Sequence, residues 1–236
     1  MDINGNLFVT DYGNSAIREI LISGQVITLA GGNIGFVDGT GTNAKFNGPD
    51  GIVSDGSGDL YVTEDNNNSI RKITTNGQVS TFAGGTQGYN DGTGISARFE
   101  SPRGICQDKN GVLYVADAFN ESIRKVTSNA QVSTVIAGGF GFQDGNTSSA
   151  KFGLVEGVAI DGNGNFLIAD MTNNSIRMLT STGTVLTIAG VQSGGFSNGI
   201  GNKASFNYPA SIAMGPDGNF YVGDLNNNAI RKIVLR

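Results

Sequence analysis

The chain has 236 residues, of which 37 are glycine and 15% are charged, with a net charge of −5 and no histidine. That balance argues against a nucleic-acid partner, since phosphate binding needs clustered positive surface and the basic residues here are spread thinly along the chain. The missing histidine excludes a Ser-His-Asp triad, a Cys-His dyad and any His-ligated metal, and the single Cys106 excludes an intrachain disulfide and a Cys-based zinc site.

The first element, "LFVTD" (7–11), runs into a ten-residue phrase that the chain writes five times. Its copies are "DYGNSAIREI" (11–20), "EDNNNSIRKI" (64–73), "DAFNESIRKV" (117–126), "DMTNNSIRML" (170–179) and "DLNNNAIRKI" (224–233). The Ile-Arg pairs begin at Ile17, Ile70, Ile123, Ile176 and Ile230, spaced by 53, 53, 53 and 54 residues. A second phrase, of the form "AGGNIGFVDGTGTNAKFNGPDGI" (30–52), joins each copy to the next. Periods of this length point to solenoids or propellers. The register divides one domain, 1–236, into repeats at about 1–48 (partial), 49–101, 102–154, 155–208 and 209–236 (partial).

Within the second repeat four short strands are predicted. They are a ("GIVSD", 51–55), b ("DLYVTE", 59–64), c ("SIRKIT", 69–74) and d ("QVSTFA", 78–83). All are rich in β-branched or aromatic residues and bounded by Gly, Asn and Asp. No stretch of ten residues keeps helical spacing, and apolar residues at both odd and even positions of strand b indicate burial on both faces. Four-stranded units with two buried faces make an all-β fold, a β-propeller of about five blades. The Asp-rich a–b turns, such as "DGSGD" (55–59), look like pieces of calcium loops. They lack the twelve-residue ligand series, so Ca2+ is the only cofactor suggested and a structural turn is the stronger reading.

The run "PDGIVSDGSGDLYVTEDNNNSIRKI" (49–73), followed by the "AGG…DG…AxF" linker, resembles the NHL-repeat β-propellers, specifically the long-repeat bacterial type. The resemblance covers essentially the whole chain. It implies blades that bind proteins, glycans or other ligands, and no single activity. A comparison with gluconolactonase-type propellers supplies the alternative, a metal-dependent hydrolase with oxygen ligands at the channel mouth.

A residue present in every repeat serves every blade. The acid ending strand b (Asp11, Glu64, Asp117, Asp170, Asp224) lies seven positions before the strand c arginine (Arg18, Arg71, Arg124, Arg177, Arg231), which predicts an intrablade pair. Taken as exposed, such a pair is worth about 0–1 kcal/mol. The Asn three before each Ile (Asn14, Asn67, Asn120, Asn173, Asn227) is expected in a left-handed turn conformation. Phe46, Phe99, Phe152 and Phe206 are read as buried wedges under the linker, and Cys106 as a small buried residue of strand a.

Function is sought where the copies differ. Alternating strands put the b–c turns and the long linkers on one face, and variable loops on a rigid scaffold carry recognition. At the start of strand a the residue after Pro is Asp50, Arg103 or Ala210, with Glu156 at the equivalent place in the repeat that lacks Pro. Tyr208 precedes a Pro, and Tyr12 and Phe119 stand in b–c turns. Asp50, Arg103, Glu156, Tyr208, Tyr12 and Phe119 therefore form the candidate ligand-binding set, with no catalytic or metal residue assigned. The reading is a non-catalytic module that recognises a protein or glycan. No apolar run approaches the roughly 20 residues that cross a bilayer; low Lys content, Gly/Asn richness and the family resemblance suggest an extracellular or cell-surface bacterial setting. The first repeat lacks strand a and the last lacks strand d. The ring is thus expected to be part of a longer propeller, a strained five-bladed ring, or a form whose open edges self-associate.

Overall fold

The computed structural model describes residues 1, 2 and 4–235. It is all-β, a β-propeller of five small antiparallel sheets, with helix limited to single 3-10 turns. The chain divides into two compact units, one comprising 1–113 and 125–133, the other 114–124 and 134–236. The four strands of the third repeat, Pro102–Gln107, Leu113–Asp117, Ser122–Val126 and Gln131–Ile136, are shared out between them.

In the first unit, strands b, c and d of repeat one are Leu7–Asp11, Ala16–Ile20 and Val26–Gly31. Strands a to d of repeat two are Pro49–Ser54, Leu60–Glu64, Ser69–Ile73 and Gln78–Gly84. All five residues of this strand b are buried, as its two-faced apolar pattern requires. The linker adds a two-residue strand that the repeat pattern did not reveal: Gly39–Thr40 pairs with Gln78 and Val79 on the outer edge of strand d. A bulge between Ile70 and Arg71 recurs between Ile17 and Arg18, and it leaves the arginine beside a threonine, Thr81 or Thr28. Phe46 is fully buried in a core with Ile17, Ala30, Val62, Ile73 and Val79, so the expected wedge joins repeat one to repeat two. Burying one such ring is worth about 1.5–3 kcal/mol.

The second unit repeats this plan. Strands a to d of repeat four are Val155–Ile160, Phe166–Asp170, Ser175–Leu179 and Thr184–Gly190, with Gly145–Asn146 along the outer edge. Repeat five supplies Pro209–Met214, Phe220–Asp224 and Ala229–Ile233. Phe206 lies in a core with Ala169, Ile176, Ala189, Ile212 and Val222, again spanning two repeats.

The a–b turns are closed by their own aspartates. Asp55 Oδ1 accepts the backbone N–H groups of Ser57 (2.9 Å) and Asp59 (3.1 Å), and Asp161 Oδ1 does the same for Asn163 and Asn165 (both 2.8 Å). These are Asx turns, in which a carboxylate completes the hairpin.

Cys106 lies in strand a of repeat three, where it is half-buried and not the fully buried residue expected, and desolvation still pushes its thiol up to about 12. A thiol held that high presents almost no thiolate at neutral pH. Iodoacetamide should therefore label the native protein at pH 8 at least tenfold more slowly than the urea-unfolded chain; equal rates would show an accessible, ordinary thiol.

Candidate functional site

The acid–arginine pairs of repeats two to five are buried clamps, contrary to the exposed pair the sequence suggested. Arg71 donates to Glu64 at 2.9 Å and Arg177 to Asp170 at 2.8 Å, with both partners of each pair at 0% exposure. Only Asp11–Arg18 remains partly open, at 27% and 33%. The difference lies in what covers the guanidinium. Arg177 sits between the rings of Phe142 and Phe152, at 4.9 and 4.8 Å, and also donates to the Lys151 and Gln143 carbonyls and to Asp144. Phe36 and Phe46 sandwich Arg71 in the same way. The clamp therefore ties strands b and c to the linker.

The turn asparagines also behave differently from expectation. Positive φ falls one residue later, at Ser15, Asn68, Glu121, Asn174 and Asn228, not at Asn14, Asn67, Asn120, Asn173 and Asn227. Those five use their amides instead, donating to the strand b acid, as Asn67 does to Glu64 (2.7 Å) and Asn227 to Asp224 (2.8 Å). The side chain is needed at one position and the backbone conformation at the next. Burial raises the Glu64 and Asp170 carboxyls, opposed by their hydrogen bonds and arginines, whereas Arg18 and Asn14 hold the more open Asp11 below the usual range.

With the clamp assigned to architecture, the non-repeating polar groups stand out. In the first unit Asp65 follows the clamp acid, where the other repeats have Tyr12, Ala118, Met171 and Leu225. It is buried and gathers three partners: the Tyr12 hydroxyl at 3.1 Å, the Ser101 hydroxyl, and Arg103 at 3.6 Å. The Asn68 Oδ1, next in the same turn, accepts the Ser101 N–H at 3.0 Å. Two threonines of strand b fix the backbone beneath: Thr10 donates to the Asp50 carbonyl (2.6 Å) and Thr63 to the Arg103 carbonyl. Gly51 makes that approach feasible, since a Cβ there would lie 2.4 Å from the Arg103 carbonyl oxygen.

Three of the six sequence-selected residues, Tyr12, Asp50 and Arg103, thus belong to one cluster centred on Asp65, which the comparison of strand a starts overlooked. An acid unique among five copies of an otherwise regular turn was the available signal. The Asp50 carboxyl is half-buried; burial raises it, Arg103 lowers it and Asp65 raises it further. The other three residues lie in the second unit. Glu156 is half-buried at the start of strand a of repeat four, and Phe119 is half-exposed in the 3-10 turn Ala118–Asn120. Tyr208 has a φ of 58°, its N–H donates to Asn174 Oδ1 at 2.9 Å, and its ring is partly exposed.

A family model for the NHL repeat matches residues 206–233, from Phe206 through strand c of the fifth repeat. Human NHL repeat-containing protein 2 is 33% identical over 144 residues, covering 55% of this chain and 20% of its own length. Residues 206–233 thus carry an NHL repeat, and the chain is similar to NHL repeat-containing β-propellers. The chain spans a quarter or less of the length of these curated relatives, at 24%, 20% and 10%. Among solved structures, it superposes on an auxiliary nutrient binding protein from Bacteroides ovatus with a TM-score of 0.73 and 20% identity, covering 99% of this chain and 57% of that one. It is also similar to the virginiamycin B lyase of Staphylococcus aureus, in the catalytically inactive form with one histidine replaced by alanine, at a TM-score of 0.64 and 15% identity over 99% and 64% of the two chains. At these identities the likeness shows a shared β-propeller fold and nothing of activity.

Proposed function

We propose that the protein is a non-catalytic binding module that recognises a polar protein or glycan ligand through the loops around Asp65. The observation behind this reading is the contrast between repeated and unrepeated polar groups. The buried clamps recur and hold the blades, whereas Asp65, Arg103, Tyr12 and Ser101 converge once, on loops anchored by Thr10 and Thr63. Convergent polar groups on a rigid frame are what an orienting ligand site needs. The nutrient-binding neighbour supports the reading, as does the absence of histidine from a chain whose lyase neighbour is inactivated by loss of one. An extracellular bacterial setting is part of the same proposal.

The test is a solution screen of glycans and peptides against the wild type and Asp65→Asn, which keeps the side-chain shape. Binding should weaken at least tenfold in the variant while its melting temperature stays within a few degrees. A ligand held equally by both, or one converted to product, would overturn the reading.

A further inference from the structure

Among the charged groups of the Asp65 cluster, Asp50 is the one whose carboxylate has no direct hydrogen bond or ion pair, with Arg103 acting on it through space. Its main-chain carbonyl is taken by Thr10, but its carboxylate makes no hydrogen bond or ion pair with any described residue. Arg103, the nearby cation, makes its ion pair with Asp65, at 3.6 Å. Asp65 is itself occupied by the hydroxyls of Tyr12 and Ser101. Asp50 and Asp65 thus share the field of one guanidinium, and the half-buried Asp50 carboxylate has no direct donor among the described residues.

A partly desolvated carboxylate is costly unless a donor meets it, and a cation compensates more than a neutral donor does. The net charge of −5 adds a weak long-range preference of the same sign. Tyr12, half-exposed beside the cluster, offers a ring face on which an alkylammonium group can rest.

We infer that Asp50 is the specificity-determining residue of this site and receives a cationic group, an alkylammonium of the lysine type, from the ligand. This rests on the binding-module reading above and narrows its ligand class to partners that present an amine. The groups facing Asp50 are Arg103 from strand a of repeat three, Asp65 from the b–c turn of repeat two and, through Asp65, Tyr12 from repeat one. The pH dependence follows from their balance. Burial and Asp65 outweigh Arg103 and raise the Asp50 carboxyl above its ordinary 3.8. Amine binding is then complete above that raised value and is lost as the pH falls through it.

The experiment is an NMR titration of the whole protein with end-blocked Gly-Lys-Gly and with its Nζ-acetylated form, on wild type, Asp50→Asn and Asp65→Asn. The wild type should bind the lysine peptide at least tenfold more tightly than the acetylated one, with shifts at Asp50, Asp65, Tyr12 and Arg103. Asp50→Asn should lose that preference, and the wild-type preference should fade on acidification. Equal binding of both peptides, or a preference unchanged in Asp50→Asn, overturns the inference. A neutral oligosaccharide that shifts the same residues in an Asp65-dependent way, with no response to lysine, overturns it too while leaving the binding site standing. No shift at these four residues with either peptide or sugar defeats both.

Discussion

Replacing Arg177 with methionine should destabilise the protein by about 3–5 kcal/mol, the usual cost of removing one partner from a buried ion pair. Methionine fills part of the space between Phe142 and Phe152, so the loss is electrostatic more than a cavity effect. It strands Asp170 at zero exposure, leaving only the Gly153 N–H and the Asn173 amide as donors. It also releases the Lys151 and Gln143 carbonyls, through which the linker is fastened. Urea denaturation reads this as a lowered midpoint with an unchanged slope. Arg18→Met is the control: that pair is about a third exposed, and its loss should cost no more than about 1 kcal/mol. Equal losses at the two positions would show that burial is not what gives the clamp its strength.

The pH dependence of this loss has a definite sign. Burial already raises the Asp170 carboxyl above 3.8, and Arg177 is among the groups that oppose the rise. Without the arginine the folded form holds the Asp170 proton more firmly still. A carboxyl raised on folding contributes stability below its unfolded value that is lost as pH climbs through the folded one. The Arg177→Met deficit should therefore be smallest near pH 4 and grow towards neutrality.

The repeats made the blades legible because a strand's two-residue period and its Gly/Asn turns are local signals. Strand c of repeat two was placed to within one residue, and the Phe46 wedge follows from its recurrence. The burial of the clamp was not legible, because it depends on Phe36 and Phe142 folding over the guanidinium from a linker some 35 residues away in the chain, a tertiary contact. The edge strand Gly39–Thr40 escaped notice for a related reason: two residues carry no periodicity, and their pairing with Gln78–Val79 is fixed by the linker's path. The left-handed turn residue was misplaced by one position because asparagine both caps carboxylates and tolerates positive φ. Asn67 and Asn68 divide those roles between them. At the site, comparing copies located Asp50, Arg103 and Tyr12, while Asp65, the group that joins two of them, lay one residue beyond the invariant acid.

Gly84→Ala should cost about 3 kcal/mol or more, and it should also weaken the candidate site. Two effects combine at this position. Gly84 has a φ of +81°, which costs an L-residue about 1–2 kcal/mol. Its added Cβ would also stand 2.5 Å from the Asn68 carbonyl oxygen and 2.8 Å from the Phe99 ring, neither of which is a flexible side-chain end. The two contributions can be separated, because Gly56 has a similar φ of +76° with nothing within 4 Å of its would-be Cβ. Gly56→Ala should therefore show the conformational cost alone, about 1–2 kcal/mol. The excess at Gly84 measures the displacement of the Asn68 turn. That turn leads to the site: Asn68 Oδ1 holds the Ser101 N–H, and the Ser101 hydroxyl bonds Asp65. If the b–c turn positions the cluster, Gly84→Ala, assayed well below its melting temperature, loses ligand affinity that Gly56→Ala keeps. Equal stability losses in the two variants would mean that the turn yields freely, and the position of Asp65 would then owe little to the blade beneath it.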